Sequence, residues 1–128
     1  MKKEIVAERL GENHGPYSHG ILSGEYVFTT QVGTLPDCSV VAGGAYEQTV
    51  QLLNNAKVVM DDVGGTLDDV VKVTIYIINL KENLAAMNKA YREIMPGKPF
   101  AARACVEVTD MVDEGVLVEM EFVAHIKR

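Results

Sequence analysis

Side chains able to do chemistry are sparse in this chain, and most fall in a few short segments. Arg103 sits in Lys98-Pro99-Phe100-Ala101-Ala102-Arg103-Ala104-Cys105-Val106-Glu107-Val108, a small alternating pattern carrying one permanent cation. A guanidinium stays charged at physiological pH, and its planar fork matches a carboxylate with two parallel hydrogen bonds. If a small acid binds this chain, Arg103 is where its carboxylate would go. Strand alternation places Arg103, Cys105 and Glu107 on one face and Ala102, Ala104, Val106 and Val108 on the other. The second set reads as the core face. On pattern alone, a solvated or ion-paired strand arginine is the simpler account.

Glu119 and Glu121, in Val118-Glu119-Met120-Glu121, share the face opposite Met120. Like charges placed so repel mildly, and a solvated outer face explains them unless something uses them. Beside an arginine and a bound acid, such a carboxylate could position or activate a water. Tyr17 lies in Gly15-Pro16-Tyr17-Ser18-His19-Gly20, where Pro and Gly constrain the backbone around an aromatic with a polar tip. That suits a pocket wall, and equally a loop tyrosine packed on the core. His19 is a weak general-base candidate, alone in a glycine-rich loop. Thr29-Thr30-Gln31 closes a strand with hydroxyls and an amide that either line a site or cap an edge. Asn88 is polar amid Leu84, Met87 and Tyr91 and reads most simply as an exposed helix position. Cys105 reads as a small buried hydrophobe, with no histidine or lysine neighbour to activate its thiol.

The elements that must hold these residues follow from periodicity. Lys3 to Arg9 reads as a strand, Gly11 to His19 as a loop, and Ile21 to Phe28 as a hairpin turning at Ser23-Gly24. After a second loop from Gly33 to Gly44, Leu52, Leu53, Ala56, Val59, Met60 and Val63 recur at helical spacing, and Gly64-Gly65 ends that helix. The β-branched run from Asp68 to Asn79 reads as a strand buried in mid-sheet. Glu82 to Met95 returns to helical spacing and stops at Pro96-Gly97. The Arg103 strand, a turn at Asp113-Glu114-Gly115 and a last strand from Val116 to Ile126 complete the order β-β-β-α-β-α-β-β. Such an order predicts an α+β domain, one mixed sheet with two helices on one face. The other face holds apolar residues with no chain left to cover it, which predicts a homo-oligomer.

Length and composition fit this reading. The chain has 128 residues, 48% hydrophobic and 23% charged, which suits one domain spanning 1–128. Its net charge of −6, with no local basic cluster, argues against nucleic acid as a partner. No apolar run is long enough for a membrane span, and no signal core follows Met1, so a soluble, cytoplasmic protein is expected. Cys38 and Cys105 are expected as free thiols, and His14, His19 and His125 share no ligand spacing, so no metal is expected.

Taken together, the Gly15–Gly20 segment, Ala102-Arg103-Ala104-Cys105-Val106-Glu107-Val108, Val118-Glu119-Met120-Glu121-Phe122-Val123-Ala124 and Asn88 in Met87-Asn88-Lys89-Ala90-Tyr91 resemble the RidA (YjgF) family of reactive intermediate deaminases. The resemblance runs nearly the whole length. It implies a chorismate-mutase-like fold, a homotrimer with active sites in clefts between subunits, and hydrolysis of 2-enamino and 2-imino acids such as 2-aminoacrylate to 2-keto acids and ammonia. By position, it implies that Arg103 holds the substrate carboxylate and that Glu119 and the backbone carbonyl of Cys105 position water. Tyr17, Thr30 and Asn88 would complete the pocket. No cofactor is implied, because an imine carbon is already electrophilic and needs only orientation and water. One departure stands out. After Thr29 the family commonly continues Ser-Gly-Gln, whereas this chain reads Thr30-Gln31-Val32-Gly33. Gln31 either replaces the glycine and narrows the pocket, or is the family's glutamine shifted by a deletion. That departure also leaves room for a trimer that binds small carboxylic acids without turning them over.

Overall fold

The computed structural model describes residues 1–127. Strands β1 (Lys3–Ile5), β2 (Gly20–Ser23) and β3 (Tyr26–Val32) lead into helix α1 (Ala45–Asp61). Strand β4 (Val70–Ile77), helix α2 (Leu80–Ile94), strand β5 (Ala102–Glu107) and strand β6 (Val118–His125) follow. This is the expected order. The strands form one six-stranded sheet in the order β1-β2-β3-β6-β4-β5. The β4–β5 pair is parallel, as a crossover through α2 requires, and the other pairs are antiparallel.

Local chemistry sets the boundaries. The first strand ends at Ile5 rather than Arg9, because the chain tightens into a 3-10 turn at Glu8–Leu10 and leaves it through Gly11 at φ +79°. Helix α1 closes through Gly64 at φ +75°, and the Gly65 N–H returns to the Met60 carbonyl at 2.9 Å. Helix α2 has no side-chain cap of its own. Instead the Glu107 carboxylate, from β5, accepts the Leu80 N–H at 2.9 Å and ties the helix start to the Arg103 strand.

The core lies between the helices and one sheet face. Val27, Val73, Ile75, Ile77, Val118 and Met120 are fully buried there against Leu52, Leu53, Val59 and Met87. Burying each such side chain contributes on the order of 1.5–3 kcal/mol. Two amides on the buried stripe of α1 hold loops instead of packing. Gln48 accepts the Leu117 N–H at 2.8 Å and donates to the Gly115 carbonyl at 2.9 Å. Asn55 donates to the Val32 and Thr34 carbonyls at 3.1 and 3.0 Å. Both loops so anchored border the site described below.

The opposite face is open. Tyr26, Phe28 and Val106 remain 47%, 45% and 47% exposed on it, beside Thr30, Glu119 and Glu121. Here the reading of β5 needs correction. Ala102, Ala104 and Val106 do not face the core, since all are exposed on the open side. Arg103, Cys105 and Glu107 are on the helix side, where Cys105 packs against the core and Glu107 caps α2. β5 is an edge strand, so its small apolar residues belong to the open face and its polar residues reach the helix rim. Among the described residues, no helix is long and apolar enough to cross a membrane.

Candidate functional site

Arg103 projects over the ring of Tyr91 on α2, its guanidinium carbon 4.8 Å from the ring centroid. A cation above an aromatic face is attracted by the ring quadrupole. Tyr91 is itself 4% exposed and tilted 37° against Phe100 at 6.4 Å, so the shelf beneath the guanidinium is firm. Arg103 is solvent-exposed, and among the described residues no carboxylate pairs with it. It lines an open cavity of about 230 Å³ together with Asn88, Tyr91, Arg92, Phe100 and Ala101. Asn88 is therefore at this cavity rather than on an indifferent helix surface. Cys105 sits one alternation further along the strand. Val108 donates its N–H to Ile77 of β4 at 2.9 Å, so residues of the opposite parity, Cys105 included, turn their backbone groups toward the free edge. Burial raises the Cys105 thiol, with Arg103 opposing, so the sulfur is protonated at neutral pH and its carbonyl is the more useful group.

Glu119 lies elsewhere. It lines a second cavity of about 230 Å³ on the open face with Tyr17, Thr30, Gln31, His14 and Asp113 among its neighbours. Burial pushes its carboxyl above the usual carboxylate range, and the charges of Glu121 and Asp113 push the same way. A carboxylate whose pKa is raised is a stronger base toward a bound water than an ordinary one. Glu121, its strand companion, is engaged by the Tyr76 hydroxyl, which donates to it at 2.5 Å. Tyr17 is 54% exposed, and its loop is pinned from beneath. Asn13 donates to the Tyr17 carbonyl at 2.7 Å, and Thr29 donates to the His19 carbonyl at 2.6 Å. The three residues Thr29-Thr30-Gln31 divide by parity. Thr30 opens to the cavity, while the Gln31 amide is buried on the helix side and donates to Thr29 Oγ1 at 2.9 Å. His19 is structural: its Nδ1 accepts the Ala7 N–H at 3.0 Å.

The site residues therefore form two clusters within one chain. Register places Arg103 beside Val73 and Val73 beside Phe122, while Glu119 is opposite Tyr76. That is two strand spacings across and three residues along, roughly 14 Å in the plane of the sheet. The clusters also occupy opposite faces. Each cavity alone falls below the ~300 Å³ at which complete small-molecule sites begin. Sequence reading missed Tyr91 as the arginine's support and the His14–Asp113 pair altogether. The Tyr91 ring was visible only as a member of an apolar stripe, and His14 and Asp113 are 99 residues apart.

Comparison with known proteins agrees with this architecture. The family model described as endoribonuclease L-PSP matches residues 8–126. A RutC family protein of Pyrococcus abyssi is 37% identical over 128 residues, covering 98% of both chains. A 2-iminobutanoate/2-iminopropanoate deaminase of Salmonella typhimurium is 32% identical over 127 residues, covering 97% of this chain and 98% of that one. The crystal structure of Escherichia coli TdcF with bound serine superposes with a TM-score of 0.86 at 26% identity, covering 98% of this chain and 99% of that chain. With its sheet order, its motifs and nearly its full length matched, the chain belongs to the endoribonuclease L-PSP family, the group of the YjgF/RidA proteins.

Proposed function

We propose that this protein is a hydrolytic deaminase of reactive 2-imino and 2-enamino acids, working in clefts between the subunits of a homotrimer in the cytoplasm. The observation that carries the reading is Arg103: an exposed guanidinium over a buried aromatic, unpaired among the described residues, beside Asn88 at an open cavity. Such a fork binds a planar carboxylate bidentately. The serine bound in the TdcF structure and the deaminase activity named for the Salmonella relative support an amino-acid-like ligand. Because the two clusters lie on opposite faces, a complete site takes the Arg103 cluster from one copy and the Glu119 cluster from a neighbour. Packing the exposed Tyr26, Phe28 and Val106 face against other copies achieves this and removes the apolar surface from water.

The steps follow from the groups. Arg103 and Asn88 orient the acid. Glu119 and the Cys105 carbonyl hold a water against the C=N carbon, and Glu119 takes a proton as the C–O bond forms. Glu119 passes that proton to the imine nitrogen to give the carbinolamine, then takes the carbinolamine's hydroxyl proton as the C=O bond forms and hands it to the departing nitrogen, so that ammonia and the 2-keto acid leave. The net charge of −6, with Asp113, Glu119 and Glu121 on the open face, favours a small acid over RNA as the ligand. A trimer that binds such acids without turnover is the alternative. Its motivation, the Gln31 substitution, is weakened by the inward-turned amide.

The test generates imines with an amino-acid oxidase beside the purified protein and measures ammonia and keto acid. Arg103→Ala should slow release at least tenfold, since a charge-assisted hydrogen bond is worth about 1.5–3 kcal/mol. Equal rates for the variant and wild type would overturn the mechanism. Calorimetric binding of a 2-keto acid with no turnover of any imine would select the binding trimer.

A further inference from the structure

His14 and Asp113 have no role in the steps above, yet both border the cavity of Tyr17 and Glu119. His14 Nε2 lies 3.2 Å from Asp113 Oδ1, and His14 Nδ1 lies 3.3 Å from the Tyr17 hydroxyl. The two rings meet edge to face, 87° apart in plane at 6.1 Å. A carboxylate, an imidazole and a phenol thus form a chain that ends at the mouth of the open-face cavity.

Proton inventory fixes what this chain can do. An ionised carboxylate only accepts, so Nε2 carries the N–H that faces Asp113. In a neutral imidazole Nδ1 is then an acceptor, and Tyr17 must donate to it. The phenol's proton is thereby turned away from the cavity, leaving its lone pairs to accept from a ligand. When His14 gains a proton, both ring nitrogens donate. Tyr17 then accepts from Nδ1, and its own O–H is freed to donate into the cavity.

We propose that His14, held in the Nε2–H tautomer by Asp113, is a positioning residue that sets the hydrogen-bonding sense of Tyr17. Toward a substrate N–H, Tyr17 is an acceptor while His14 is neutral and a donor once it is protonated. This rests on the deaminase reading above, in which the ligand presents an imine N–H. The charged and titratable groups facing His14 are Asp113 from the β5–β6 loop, Glu119 from β6 and Tyr17 of its own loop. On its other side, the adjoining cavity brings Glu12, His19 and Cys38. The neutral state is the one that turns an acceptor toward an imine N–H.

Two measurements test this. Nitrogen-15 spectra of histidine-labelled protein should show His14 as the Nε2–H tautomer in the wild type and as a tautomer mixture in Asp113→Ala. A wild-type Nδ1–H tautomer, or spectra unchanged by Asp113→Ala, would overturn the proposal whether or not the protein deaminates anything. The second is kcat/KM for imine hydrolysis at pH 8. His14→Phe should lose about five- to tenfold, the worth of one ordering hydrogen bond, and should cost little more once Tyr17→Phe is present, because His14 acts through the Tyr17 hydroxyl. A His14→Phe loss of the same size in the Tyr17→Phe background would contradict the role. Absence of turnover in every protein, with the tautomer as expected, would instead count against the deaminase reading.

Discussion

The Arg103 cluster and the Glu119 cluster differ in nearly every physical respect. The first is a cation on a stiff shelf: a strand residue laid over a buried aromatic, with helix α2 fixed to the same strand through Glu107. The second is acidic and joins loop residues Tyr17, His14 and Asp113 to strand residues Thr30 and Glu119, with a carboxyl raised by burial and by the charges of Glu121 and Asp113. One offers a place for a negative charge and no base. The other offers a base and repels negative charge. An imino acid needs both, and the sheet that carries them keeps them on opposite faces of a single chain. In the proposed deaminase, that division assigns binding to one copy and proton transfer to its neighbour.

That assignment breaks most completely at the open face. Val106→Asp puts a charge on the exposed open face, in the cross-strand row of Tyr76 and Glu119 and on the same strand as Arg103. Sedimentation should show monomers, the far-UV spectrum should be unchanged, and deamination should drop to background. An assembled, active Val106→Asp protein would remove the open face from the account. Next in size is Arg103→Lys. It keeps the charge and loses the fork, so it should leave kcat/KM about tenfold or more below wild type, near the alanine variant. Full activity would show that a point charge suffices.

The smallest effect concerns the other cluster. The folded Glu119 pKa lies above its unfolded value, so the fold favours the protonated form. Its contribution to stability is then full below the unfolded value and is lost as pH rises through the raised folded one. Glu119→Gln, neutral throughout, should raise Tm by on the order of 1–2 °C at pH 7 and leave it unchanged near pH 3. A gap of the same size at both pH values would mean that ionisation is not its source.

Much of this was legible in the sequence. The order of elements, the helix stripe from Leu52 to Met60 and the shared face of Glu119 and Glu121 all follow from local periodicity, which local contacts enforce. β5 misled because Ala102, Ala104 and Val106 look like a core face, whereas an edge strand beside an uncovered face reverses that logic. Gln48 and Asn55 broke the apolar stripe of α1 for a reason that only tertiary contacts reveal, the anchoring of loops that flank Tyr17 and Glu119. His14 and Asp113 met only through the fold, since nothing local links residues 99 apart.

The division of labour between copies is tested most directly by mixing two inactive proteins. Arg103→Ala and Glu119→Gln are unfolded together, refolded in equal amounts and assayed for imine hydrolysis beside each variant refolded alone. If each site joins two copies, random assembly should give about a quarter of the sites an intact Arg103 from one chain and an intact Glu119 from its neighbour. Activity near a quarter of wild type is the predicted result. Activity no greater than that of the separate variants would contradict a shared site.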